Sequence, residues 1–160
     1  MRWRILRWGA IAVEMIVTTI VLTSIARQES PTVVVVASDE RITEIPLRNA
    51  SGFSLSYTHS VYKRPVVETF EVDDRGGFAL VQVRSPIEKT LDYYGVEGTR
   101  SSVRGWRRLS IDEPTRLTRL PLIATSTGRR TLVVGDRHLP LYDAHDAAHL
   151  TICVGPPGCS

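Results

Sequence analysis

Cysteine is scarce: the 160-residue chain has two, Cys153 and Cys159, six positions apart in the closing CVGPPGC. That spacing is neither CxxC nor a zinc-ligand pattern, which argues against thiol redox catalysis and structural zinc. Also missing is the excess of positive charge that a phosphate-neutralising nucleic-acid binder needs. The chain carries 20 basic and 17 acidic residues, but Arg2, Arg4 and Arg7 precede an apolar block and Glu14 lies inside it. Setting these aside takes three from the basic count and one from the acidic, so the body is nearly neutral. The sequence has no internal repeat, no low-complexity segment and no GxSxG nucleophile elbow. With 42% apolar and 23% charged residues, its composition is globular and excludes a disordered or fibrous chain.

The apolar residues are concentrated first in Trp8 to Ala26, WGAIAVEMIVTTIVLTSIA, where Glu14 is the only charge. A helix of that length spans roughly 28 Å, close to the hydrocarbon thickness of a bilayer. Arg2, Arg4 and Arg7 stand before it, whereas Arg27 and Glu29 cancel after it, so the positive-inside bias keeps the N-terminus cytoplasmic and exports the remainder. Trp3 and Trp8 fall where interfacial aromatics lie. A cleaved signal peptide is the rival reading, with Ser24-Ile25-Ala26 supplying small residues before a cut. Both readings give a transmembrane or signal segment over 1–27, a linker over 28–31 and an extracytoplasmic domain over 32–160. In an anchor helix Glu14 shares a face with Arg7, Ile11 and Thr18. It either snorkels to the cytoplasmic interface or contacts a polar group of a membrane partner. In an oxidising compartment Pro156-Pro157-Gly158 can turn the chain so that Cys153 and Cys159 bond; free thiols are the alternative.

Past the linker, strand-like runs alternate with turn residues: Thr32–Ala37, Arg41–Leu47, Phe53–Ser60, Val66–Val72, Phe78–Arg84, Arg116–Ile123, Arg130–Val134 and Leu150–Val154. One short helix is expected over Pro86–Tyr94. The spacing predicts an all-β, antiparallel β-sandwich. Arg100, Arg104, Arg107, Arg108, Arg116 and Arg119 surround Trp106 and read as a solvated loop. The sharper reading of this stretch is a patch facing anionic lipid or an acidic partner. In DAHDAAH, Asp143, His145, Asp146 and His149 place two histidines four apart, but a third firm ligand is not evident and no metal is expected.

Phe53 to Val72, FSLSYTHSVYKRPVVETFEV, reads as a hairpin turning near Val61–Arg64. Pairing Ser60 with Pro65 puts Phe53, Leu55, Tyr57 and His59 on the core face with Val66, Glu68 and Phe70. Glu68 then lies opposite Tyr57 and diagonal to His59, and a carboxylate there needs partners such as a phenol and an imidazole. The Tyr57–His59–Glu68 cluster reads either as a ligand site or as a buried polar triad that pins the register. His59 and Ser60 point to opposite faces, which speaks against a base–nucleophile pair. No catalytic residue and no cofactor is expected.

The run YTHSV-x-x-x-PVVETFEV, with an aromatic-rich strand before it and a YG-containing segment after it, resembles domain of unknown function 1850. Tyr57, His59, Ser60, Val61, Pro65, Val66 and Glu68 carry the match, which extends over roughly residues 41–154. The chain departs from the family pattern after YGVEG, where an arginine-rich insertion follows. The resemblance implies a small exported protein, often with an N-terminal apolar segment, encoded beside TRAP transporters of the TAXI subclass that import organic acids. It therefore implies a membrane-anchored accessory protein whose partner is the transporter's permease or its extracytoplasmic binding protein. The alternative is an extracytoplasmic small-ligand-binding module using Tyr57, His59 and Glu68.

Overall fold

The computed structural model describes residues 31–37, 40–143, 148–155 and 159. The expected anchor or signal segment, Glu14 and most of the linker lie outside them. No helix among the described residues is long and apolar enough to cross a membrane.

The β-branched run Thr32–Ala37 forms β1, and all four of its valines are buried, so both of its faces are covered. It pairs with β2 (Glu40–Pro46) and with β12 (His149–Val154), and β12 pairs in turn with β9 (Arg119–Ile123). These four strands form one antiparallel sheet in the order β2-β1-β12-β9. The second sheet runs β11-β10-β3-β4-β5-β7-β6. Its strands are β3 (Gly52–Thr58), β4 (Pro65–Val72), β5 (Phe78–Ser85), β6 (Gly98–Val103), β7 (Trp106–Ile111), β10 (Thr131–Val134) and β11 (Arg137–Pro140). A two-residue strand β8 (Arg116–Leu117) pairs with the start of β5, at Phe78 and Ala79. Alternation puts Val33, Val35, Ile152 and Leu150 of the first sheet against Phe53, Leu55, Phe70 and Leu132 of the second. The result is an antiparallel β-sandwich.

Phe53 is the centre of the main core. Its ring stacks on Phe70 at 4.9 Å between centroids and meets Phe78 edge-on at 5.3 Å. At Gly52, just before it, a side chain would run into the Phe70 carbonyl, since a Cβ there would lie 1.9 Å from that oxygen. A smaller core of Val66, Val83, Leu91 and Leu109 lies further along the second sheet, beneath the short helix α1 (Glu88–Asp92). Leu91 is the helix residue that fills it.

Three expectations need correction. The run 116–123 is not one strand: Arg116–Leu117 pairs with β5, and Arg119–Ile123 pairs with β12, so the chain changes sheets at Thr118. Of the arginine-rich stretch, Arg100, Arg104, Arg107 and Arg108 lie not in a loop but in the β6–β7 hairpin, turned by Arg104 (φ 51°) and Gly105 (φ 82°), while Arg116 and Arg119 lie on β8 and β9. Positive φ at both central residues is the two-residue turn that matches strand twist. The helix is shorter than the expected span, covering Glu88–Asp92 within Pro86–Tyr94. At the C-terminus Cys153 and Cys159 are bonded, with Cα atoms 5.6 Å apart, and pack with Val34 and Val36 on the outer face of β1.

Candidate functional site

The hairpin β3–β4 pairs Phe53 with Phe70, Leu55 with Glu68, Tyr57 with Val66 and Thr58 with Pro65. The register is therefore displaced by two residues from the expected one. A shift of two preserves the face, so Tyr57 and Glu68 still point to the same side, but diagonally rather than directly opposite. The gap between them is bridged by Tyr94, three residues beyond Leu91. Tyr94 Oη donates to Glu68 Oε1 at 2.6 Å and lies 2.6 Å from Tyr57 Oη. A phenol has one proton to give, so with Tyr94 committed to the carboxylate, Tyr57 is the donor to Tyr94. The result is a one-way relay, Tyr57 to Tyr94 to Glu68.

Burial pushes the Tyr57 hydroxyl up to about 12, with the Glu68 charge acting in the same direction. Burial, followed by Glu68, also raises Tyr94 far above the ordinary phenol range. Both groups stay protonated at any physiological pH, so they act as hydrogen-bond donors and not as bases. Above the relay the Arg130 guanidinium lies 4.6 Å from the Tyr57 ring centroid. The register explains this contact: Thr131 pairs with Ser56, which brings Arg130 alongside Tyr57.

His59 does not join this relay, contrary to the expected triad. It sits in the turn past β3, buried at 6% exposure. Its Nδ1 accepts from the backbone N–H of Val61 at 3.2 Å and of Tyr62 at 3.4 Å. An accepting Nδ1 assigns the proton of the neutral ring to Nε2. Its main chain closes the same turn, with His59 N–H donating to Arg64 O and Lys63 N–H donating to His59 O. The ring packs against Tyr62 at 5.1 Å and edge-on against Tyr93 at 5.0 Å. Tyr93 and Tyr94 thus tie the end of α1 to the hairpin at two points, one aromatic and one polar. Ser60, Val61 and Pro65 are exposed on this turn, while Val66 is buried beneath it.

Tyr94 and Arg130 are the residues that a reading of the hairpin alone misses. The signal for Tyr94 is its spacing from Leu91: three positions on a helical turn put the phenol on the face that enters the core. Of the DAHDAAH residues, Asp143 is exposed after β11 and His149 opens β12; His145 and Asp146 lie outside the described residues. Among the described residues no group of three histidine, cysteine or carboxylate side chains could hold a metal. Four surface cavities lined by described residues lie away from the relay, at Pro46–Ala50, along Ser51–Ser54, around Trp106 and beside Asp73.

No curated protein and no solved structure matches this chain. The family model described as Domain of unknown function (DUF1850) matches residues 53–141, which span the hairpin, the helix, the arginine-rich β6–β7 pair and β11. That match covers more than half of the chain, and the protein belongs to the DUF1850 family.

Proposed function

We propose that the chain is a membrane-anchored, extracytoplasmic interaction protein that works with a TAXI-type TRAP transporter. The observation that carries the reading is the form of the β3–β4 turn. Val61 is 61% exposed and Tyr93 is 69% exposed, while His59 between them is buried. Both apolar groups are fixed to that one imidazole, Val61 through its backbone N–H and Tyr93 through its ring. Exposed apolar side chains on a rigid base suit recognition of another protein. The relay behind them, with its two protonated phenols, favours a positioning role over acid–base catalysis.

The transporter as partner and the anchored topology come from the family resemblance and from the Trp8–Ala26 segment. Tagged full-length protein, captured from detergent-solubilised membranes, should bring with it the permease or the extracytoplasmic binding protein of such a transporter. Glu14→Leu should leave membrane insertion intact and weaken that capture if the anchor helix also touches the permease. Capture that repeatedly returns the chain without any transporter subunit would contradict the proposal.

A further inference from the structure

The two faces of the second sheet treat arginine differently along β5, β7 and β6. On the inner side, Arg100 pairs with Glu88 at 2.6 Å and with Asp92 at 2.8 Å, and Arg107 approaches Glu88 at 3.8 Å. On the outer side, Arg84 of β5 stands directly opposite Arg108 of β7. Like charges facing each other across a ladder destabilise it. Neither residue forms an ion pair among the described residues, and the Nε–H of each is buried without a hydrogen-bond partner. A buried donor left unmade carries a desolvation cost that native structures seldom tolerate without a reason.

These two arginines line a cavity of about 310 Å³ together with Val103, Arg104 and Trp106. Arg104 comes from the β6–β7 turn, at a left-handed position where asparagine or glycine is the ordinary occupant. Three guanidinium groups without a carboxylate, next to an indole and a valine, form a site of defined chemistry. The guanidinium forks match the paired oxygens of a carboxylate or phosphate, and the indole and valine offer a wall to carbon.

We infer that this cavity binds a small oxyanion, whose charge relieves the Arg84–Arg108 repulsion and whose organic part rests on Trp106 and Val103. The inference is independent of the transporter reading. The oxyanion is carried either by a free solute or by the headgroup of an anionic lipid, which a membrane tether would bring within reach. The cavity is at the small end for ligand sites, so the bound portion is a single anionic group with a few carbons.

The chain has three tryptophans, and replacing Trp3 and Trp8 by phenylalanine leaves Trp106 as the sole reporter. The full-length protein in nonionic detergent is titrated with inorganic phosphate and with succinate at constant ionic strength held by potassium chloride. It is also reconstituted into phosphatidylcholine vesicles with and without phosphatidylglycerol. A saturable change in Trp106 emission with phosphate or succinate is expected, and Arg84→Gln/Arg108→Gln should weaken it by ~tenfold or more. A change seen only with phosphatidylglycerol, and lost in the same double variant, assigns the oxyanion to a lipid headgroup. Should the double variant fold poorly, Arg104→Gln on the exposed turn gives the same comparison without touching the ladder. An unsaturable response to all three probes, or an equal response in wild type and in the arginine variants, would overturn the inference.

Discussion

The β3–β4 hairpin has two ends built on opposite principles. At the Phe53–Phe70 end the rings stack against Phe78 and are closed over by the valines, leucines and isoleucines of the other sheet. At the Tyr57–Val66 end the first sheet no longer supplies the cover. A five-residue helix does so instead, and the contacts become Tyr57 to Tyr94 to Glu68 with Arg130 stacked above. Apolar packing is non-directional and tolerates sliding, whereas a hydrogen-bond relay demands one geometry. The phenylalanine end therefore contributes most of the stability, and the tyrosine end fixes where α1 and the exposed turn sit.

The largest effect expected from this contrast is at the apolar end. Phe70→Ala should cost about 3–5 kcal/mol in urea unfolding, since it removes a buried ring from a packed triplet. A cost under about 1 kcal/mol would mean that the three rings do not form the core. Glu68→Ala comes next, at about 1–3 kcal/mol, because it leaves the half-buried Tyr94 hydroxyl without its acceptor. Tyr94→Phe should cost about as much and should be non-additive with Glu68→Ala in a double-mutant cycle. Additive losses would show that the two groups do not communicate.

The contrast should also appear as a pH dependence. Tyr57 ionises at about 12 in the folded chain against 10.0 for an open phenol. The folded state thus keeps a proton that the unfolded chain gives up. The associated stability is complete below pH 10 and is lost as pH rises toward 12. Tyr57→Phe should make that part of the profile less steep, leaving the share of the raised Tyr94, as read by the urea midpoint across the range. The β4–β5 turn provides the opposite sign. Asp73 accepts from the N–H groups of Arg75 and Gly77 and from Arg116, and the Arg116 bond chiefly holds its carboxyl down at about 2. Its contribution is present above the ordinary value of 3.8 and lost as pH falls toward 2. Ser60→Ala, on the exposed turn, should be the smallest change, within about 0.5 kcal/mol.

The apolar end of the hairpin is legible in the sequence, and the polar end only in part. Period-two alternation places Phe53, Leu55, Tyr57, Glu68 and Phe70 on one face, and that survives a register error of two. The register itself depends on the length of the turn. In the sequence His59 continues the alternation of Phe53, Leu55 and Tyr57, yet its backbone closes the turn with Arg64 and Lys63 and its ring binds local amides. Local side-chain-to-backbone bonds of this kind compete with the ladder and leave no trace in hydropathy. Tyr94 is 26 residues from Glu68, so their bond belongs to tertiary structure. The β6–β7 hairpin is hidden for a different reason. A strand pair with one open face can carry arginine at most positions, and a run of charge reads the same in a solvated loop.

The central claim is that the hairpin's polar end holds Val61 and Tyr93 out for a partner. A full-length Val61→Asp/Tyr93→Ser variant tests it most directly, by comparing transporter co-purification with thermal unfolding of the same preparation. Both side chains are exposed, so the melting temperature should stay within a few degrees of wild type, while the captured permease or binding protein falls severalfold or more. Undiminished capture by a variant that is folded and inserted would contradict the claim.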